Sequence, residues 1–207
     1  GGTIEIGQTG SDVRVSTGGG NIHIGSAAGR VMASSGGGNL NIGSAKLMNL
    51  ETGGGWIKVN KCEGTIKAAT GGGTIDLNQI DGLAQIQSGG GGIKIGPIRS
   101  GMQVETGSGP IIATLAKGPS FSDSRLETSV GSIIVYVPDD LGVTIRAAVE
   151  VARGDGIRSD FPELKITRSG NIGTREAFAE GSLNGGGPVL HVHTATGNIE
   201  FRRKGKE

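Results

Sequence analysis

Cysteine, tryptophan and tyrosine, which staple or thicken many small folds, occur once each in 207 residues, and phenylalanine only four times. The single thiol, Cys62, excludes an internal disulfide framework and leaves the redox compartment open. Aromatic residues make up 3% and hydrophobic residues 34%, poor material for a thick globular core. No apolar run approaches the ~20 residues of a membrane span, so no transmembrane segment is expected. Charge of one sign is lacking as well: 20 Lys and Arg stand against 19 Asp and Glu, a formal net charge of +1. That balance lacks the electrostatic footprint of a nucleic-acid binder, and the one basic cluster, Arg202-Arg203-Lys204 with Lys206, reads as a solvated terminus. The chain opens inside a repeat, Gly1-Gly2-Thr3-Ile4-Glu5-Ile6, with no initiator Met and no signal sequence, as expected of a fragment excised from a longer protein.

What the chain does have is glycine, 42 residues of it, in recurring clusters. Thr17-Gly18-Gly19-Gly20 is followed by Ser35-Gly36-Gly37-Gly38, Thr52-Gly53-Gly54-Gly55, Thr70-Gly71-Gly72-Gly73, Ser88-Gly89-Gly90-Gly91 and Thr106-Gly107-Ser108-Gly109. The clusters lie 18, 17, 18, 18 and 18 residues apart, and a fixed period of this size means that one small unit is stacked on itself. These glycines run straight into strand-like sequence. A phosphate-binding loop needs a following helix, so corners are the better reading.

Between clusters the sequence alternates apolar and polar residues, the period of a half-buried strand. Aligned by repeat, the alternation becomes columns. The first strand gives Ile4, Ile22, Leu40, Ile57, Ile75, Ile93, Ile111 and, two residues on, Ile6, Ile24, Ile42, Val59, Leu77, Ile95, Ala113. The second gives Val13, Val31, Met48, Ile66, Ala84, Met102 and Val15, Ala33, Leu50, Ala68, Ile86, Val104. Four aliphatic columns in register are buried only if successive coils stack, each strand bonding to its equivalent about 4.8 Å away. The expected fold is therefore all-β, a single-stranded β-solenoid with two short strands per coil of about 18 residues. The Thr/Ser column that opens each glycine cluster should point inward and bond to itself or to the turning backbone. The corner glycines are expected to serve both φ > 0 and close approach between coils.

Regularity ends near Thr114. Leu126, Thr128, Ile133 and Val135 take the roles of Val104, Thr106, Ile111 and Ala113 after a shift of 22 residues, with the extra residues expected in a loop around Lys117-Gly118-Pro119-Ser120. Residues 1–114 are thus read as regular coils, and 115–207 as a continuation of the same structural domain with longer loops and a C-terminal closing coil. Within it, 138–189 should form wider, irregular coils, with strands at Val143–Ala147 and Leu164–Ile166. Leu190, Val192, Thr194, Ile199 and Phe201 then restore the inward spacing around a Thr196-Gly197-Asn198 corner.

Three segments, Gly20-Asn21-Ile22-His23-Ile24, Ile133-Ile134-Val135-Tyr136-Val137-Pro138 and Thr194-Ala195-Thr196-Gly197-Asn198-Ile199-Glu200-Phe201, together with the serial glycine units, resemble a bacterial adhesin family, domain of unknown function 4097 (DUF4097). The resemblance covers nearly the whole chain. It implies a β-solenoid, a place outside the cytoplasm at the cell envelope or surface, and no catalytic residues to carry over.

Function must then reside on solvent-facing residues. The outward column Glu5, His23, Asn41, Lys58, Asp76, Lys94, Ile112 alternates in sign at Lys58, Asp76 and Lys94, which suits a cross-strand charge ladder. His191 and His193 alternate outward on one strand but lack an evident third metal ligand, so no metal site and no cofactor are expected. Trp56 occupies a corner position held by Asn21, Asn39 and Thr74 elsewhere and could stack on a sugar or a partner. Arg153 and Asp155, with Arg158 and Asp160, form the densest ionisable cluster, in an irregular segment. Arg153-Gly154-Asp155 also spells an integrin-type tripeptide, short enough to arise by chance. Carboxylates are scattered over different columns, so no catalytic residue is assigned and the chain is expected not to be an enzyme. The leading expectation is a non-catalytic binding module presenting flat faces to a glycan or protein at the cell surface. The alternative is a scaffold self-associating end to end, and a polysaccharide-active β-helix enzyme ranks below both.

Overall fold

The structure is a computed structural model that describes residues 1–170 and 175–205, with every side chain among them except that of Arg153. Lys206 lies outside the described residues. The described chain holds nineteen strands and no helix. In the regular part these are β1 (Ile4–Thr9), β2 (Val13–Thr17), β3 (Ile22–Ala27), β4 (Arg30–Ser35), β5 (Leu40–Ala45), β6 (Leu47–Thr52), β7 (Ile57–Cys62), β8 (Ile66–Thr70), β9 (Ile75–Ile80), β10 (Ala84–Ser88), β11 (Ile93–Ser100), β12 (Met102–Ser108) and β13 (Ile111–Ser120). There follow β14 (Ser124–Val130), β15 (Ile133–Val137), β16 (Val143–Ser159), β17 (Lys165–Ser169), β18 (Glu176–Leu183) and β19 (Val189–Arg203).

Each odd strand from β1 to β15 pairs in parallel with the next odd one, and each even strand from β2 to β14 with the next even one. The pairing carries Ile22 onto Leu40 and Val31 onto Met48, as the column alignment requires. This is a β-solenoid of about 18 residues per turn, with a first sheet of odd strands facing a second sheet of even strands. All four aliphatic columns are buried between them from the second coil on; Ile24, Val31, Ile42 and Val59 have no exposed surface. At the N-terminal edge, where one covering layer is missing, Ile4, Ile6 and Val15 are only partly buried.

A fifth inward column, not read from the sequence, closes the corner after the first sheet: Ala27, Ala45, Cys62, Ile80, Ile98 and Leu115 are all buried. The sequence hides it because the chain bends after Gly25, Gly43 and their equivalents, which breaks strict alternation before Ala27 and Ala45. Burial pushes the Cys62 thiol up to about 11, opposed by a backbone hydrogen bond at Gly64.

The glycine corners work differently from expectation in one respect. None of the glycines in the first five clusters has positive φ; among the clusters it appears first at Gly109. What the repeated corners require is close approach. A Cβ on Gly38, Gly55 or Gly73 would overlap the carbonyl oxygen of Gly20, Gly38 or Gly55 in the coil below. The middle glycines Gly37, Gly54, Gly72 and Gly90 face open space. The hydroxyl column uses the same carbonyls. Ser35, Thr52, Thr70, Ser88 and Thr106 donate to the Gly20, Gly38, Gly55, Gly73 and Gly91 oxygens at 2.7–3.0 Å. Thr128 and Thr194 continue the series to Gly109 and Gly131. Of the two expected modes of bonding, the hydroxyls therefore take the backbone one. In Ser35, Thr70 and Ser88 each oxygen also accepts the N–H three residues on, so one side chain satisfies both its own corner and the one beneath.

The C-terminal end departs from the expected wider coils. Lys117–Ser120 lies within the span of β13, but the register against β11 jumps from Ile98 with Leu115 to Ser100 with Ser120, so the extra residues bulge out there, where the sequence placed them. Residues 143–159 form one long strand, β16; β18 pairs antiparallel to it, and β17 pairs antiparallel to β18. The last strand, β19, does not close the stack. Its first part pairs with β14 and its second with β15, and its other edge pairs with β16, so it lies between them. The second sheet thus ends in the order β14, β19, β16, β18, β17. Side chains fix the insertion: Asp123 accepts the Val189 N–H at 2.8 Å and Asp160 the Arg203 N–H at 3.0 Å. Arg203 pairs with Asp139 at 2.6 Å and lies over the Phe161 ring at 4.8 Å.

Candidate functional site

The outer face of each sheet carries every second side chain in rows running along the solenoid, because parallel register repeats each position from coil to coil. On the first sheet, Lys58 stands beside Asp76 and Asp76 beside Lys94. The alternation of sign is as expected, yet Asp76 Oδ1 is buried and accepts no hydrogen bond.

The second sheet segregates its charges. One outer row contains Arg14, Lys67, Arg125, His191, Arg146 and Lys165, with Met32, Asn49, Gln85, Gln103 and Glu180 between them. Five of its side chains are permanent cations and one is a carboxylate. The adjacent row, two residues along each strand, contains Glu51, Gln87, Glu105, Glu127, His193 and Phe178, and no Lys or Arg. Two depressions of about 1020 and 560 Å³ lie over these rows and share Arg125 and Glu127, so they form one continuous shallow groove. The insertion of β19 builds its centre by bringing His191 beside both Arg125 and Arg146.

Ion pairs link neighbouring side chains both across and along the rows. Arg125 donates to Glu127 at 2.6 Å, and this bond and charge raise the arginine above its ordinary pKa. Arg146 donates to Glu180 at 3.1 Å and lies in the same row with it. His193 Nε2 is 3.1 Å from Glu150 Oε1. Phe178 projects into the groove with 45% of its surface exposed. Among the described residues, no group of three or more His, Cys, Asp or Glu side chains could hold a metal ion.

No family model, no curated protein and no solved structure matches this chain. DUF4097 membership, an adhesin role and an envelope location therefore gain no support from known proteins; the β-solenoid stands on the strand pairings alone.

The side chains singled out in the sequence fall on separate surfaces. Lys58, Asp76 and Lys94 lie outside the first sheet, and His191 and His193 in the groove of the second. Trp56, 40% exposed, sits on the corner between the sheets, as expected. Asp155 pairs with Arg158 at 3.0 Å in the bulge of β16, and the side chain of Arg153 lies outside the described atoms. Arg125, Glu127, Arg146 and Phe178 were not anticipated. A signal for two of them existed: Leu126 and Thr128 were already matched to Val104 and Thr106, which puts Glu127 in the column of Glu105. Arg146 and Phe178 carried none, since their places depend on the insertion of β19 and the antiparallel return of β18.

Proposed function

We propose that this β-solenoid is a non-catalytic binding module of the bacterial cell surface or envelope, as expected of the DUF4097-like motifs, and that it holds a polysaccharide along the outer groove of its second sheet. The observation that carries this reading is the pair of largely polar rows beneath the groove, the second interrupted by Ala69, Ala148 and Phe178. The strands are spaced at ~4.8 Å, so a polymer lying along the solenoid axis meets donors or acceptors on most successive strands. The depression is shallow and elongated, unlike the concave cavity that encloses a small molecule. Phe178 offers an apolar face against which a sugar ring can stack. Glu127 is held by Arg125, which suits a fixed hydrogen-bonding surface more than a proton donor.

The test is to incubate the protein with a panel of bacterial and host polysaccharides and record retained protein and released sugars together. Retention without products, weakened by Phe178→Ala and unchanged by Trp56→Ala, is the expected outcome. Product release would overturn the non-catalytic reading and direct attention to Glu105 and Glu127, adjacent carboxylates in one row. A second reading, end-to-end self-association, is favoured by one observation: among the described residues β1 pairs only with β3 and β2 only with β4, leaving their outer edges open. Growth of particle mass with concentration would support it.

A further inference from the structure

Resting on the reading of the groove as a polysaccharide site, we infer that its ligand is a neutral polysaccharide, one of whose sugar rings lies on Ala148 between Phe178 and His193. Charge compensation argues for the class. Lys67, Arg125, Arg146 and Lys165 line the groove together with five glutamates, so neither sign is left in useful excess. Both arginines are already engaged, Arg125 by Glu127 at 2.6 Å and Arg146 by Glu180 at 3.1 Å. What each pair still offers is a donor beside an acceptor. Arg125 donates through Nη2 and Arg146 through Nε, which leaves further N–H groups on each guanidinium, and each glutamate accepts through a single oxygen. A sugar hydroxyl both donates and accepts, so one hydroxyl can take an arginine N–H and give its own proton to the paired glutamate. A carboxylate ligand can only accept and an ammonium can only donate. Either would use half of the pair and lie against a like charge.

Strand register places the ring. Ala148 stands beside His193 on one side and Phe178 on the other, so these two rise roughly 10 Å apart across its methyl group. All three line the groove, and Phe178 is 45% exposed. A ring laid on Ala148 therefore meets an apolar wall on one flank. On the other it meets an imidazole whose Nε2 is held 3.1 Å from Glu150. Arg146 lies two residues from Ala148 on the same face of β16, roughly 7 Å away, which brings its pair with Glu180 within reach of the ring's hydroxyls. Ala69 makes a similar gap in the same row of the regular coils, but Glu51 and Gln87 flank it. The apolar wall that a sugar ring needs is thus found at Ala148 and not at Ala69. Because the ligand carries no charge, its binding should change little as salt rises.

The experiment uses the full chain and compares each neutral polymer of the panel that is retained, hydroxyethyl cellulose and dextran included, with its carboxymethyl and quaternary-ammonium derivatives. Expected is retention of a neutral polymer, binding at least about threefold weaker for both charged derivatives, and a change of less than about twofold between low and high salt. Ala148→Gln, which fills the gap without altering charge, should weaken binding at least about tenfold, and Phe178→Ala about twofold to tenfold. Circular dichroism checks that both variants keep the fold, since the two side chains lie on the outer face. Equal or tighter binding of a charged derivative, or retention of charged members of the panel alone, would overturn the neutral-ligand inference and leave the glycan-binding reading standing. A neutral polymer held as tightly by Ala148→Gln and Phe178→Ala as by the parent would overturn the placement of the ring. Failure to retain any member of the panel would sink the glycan reading and the inference with it.

Discussion

The first part of the chain, through β12, and the part from β14 onward obey the same corner chemistry and differ in how layers follow one another. In the regular part, the next layer in space is the next coil in sequence. At the C-terminal end, β19 enters between β14–β15 and β16, which the chain laid down earlier. The corner hydrogen bond nevertheless persists: Thr194 donates to Gly131 as Thr70 does to Gly55. The lesson is that a coil is defined by its neighbours in the stack. A strand satisfies the same inward columns wherever it is inserted, and the groove arises where sequence order and stacking order part.

The most severe way to break this comparison is to end the chain before Val189. The regular coils contact only their neighbours and, with β14 and β15 as their last layer, should retain amide protection in hydrogen exchange, while β16 to β18 should lose it, because β16 pairs with the stack only through β19. Uniform loss of protection would show that the two parts fold as one cooperative unit. Next in size is the corner. Gly73→Ala puts a Cβ into the Gly55 carbonyl and should cost about 2–3 kcal/mol or more in urea unfolding, whereas Gly72→Ala should stay within about 0.5 kcal/mol. The C-terminal part already performs the second substitution, since Val130, Thr196 and Val151 occupy the middle-glycine position there. Thr70→Val, which removes the donor to the Gly55 carbonyl and the acceptor for the Gly73 N–H, should cost about 1–3 kcal/mol.

The smallest effect concerns the fifth column. Burial raises the Cys62 thiol from its ordinary 9.0 to about 11, so the folded state holds its proton more tightly than the unfolded one. That contribution is fully present below pH 9 and is lost as pH rises toward about 11. Unfolding of the parent should therefore lose more stability across this window than that of Cys62→Ala, and the two should run parallel below it.

Much of the regular part could be read from residue types. The four aliphatic columns, the inward hydroxyls and the pairing register of Lys58, Asp76 and Lys94 follow from a constant period, since every coil sees the same surroundings. The fifth column was hidden because the chain bends there and alternation breaks. The glycine corners were legible as corners, but the choice between positive φ and close approach depends on how near the next coil lies, a distance no single repeat encodes. Of the groove, His191 and His193 were visible as outward residues, and Glu127 could have been placed beside Glu105.

By itself the sequence determined the coil: its period, its inward columns, and the need for glycine where one backbone passes over another. Only the tertiary structure decided the order of the final layers and, with it, the row that joins Arg125, His191 and Arg146. The physical reason is that the inward pattern of β19 is compatible with any open parallel edge. Its place is selected by non-local pairing with β14 and β15 on one edge and β16 on the other, and by the Asp123, Asp160 and Asp139 contacts that hold its ends.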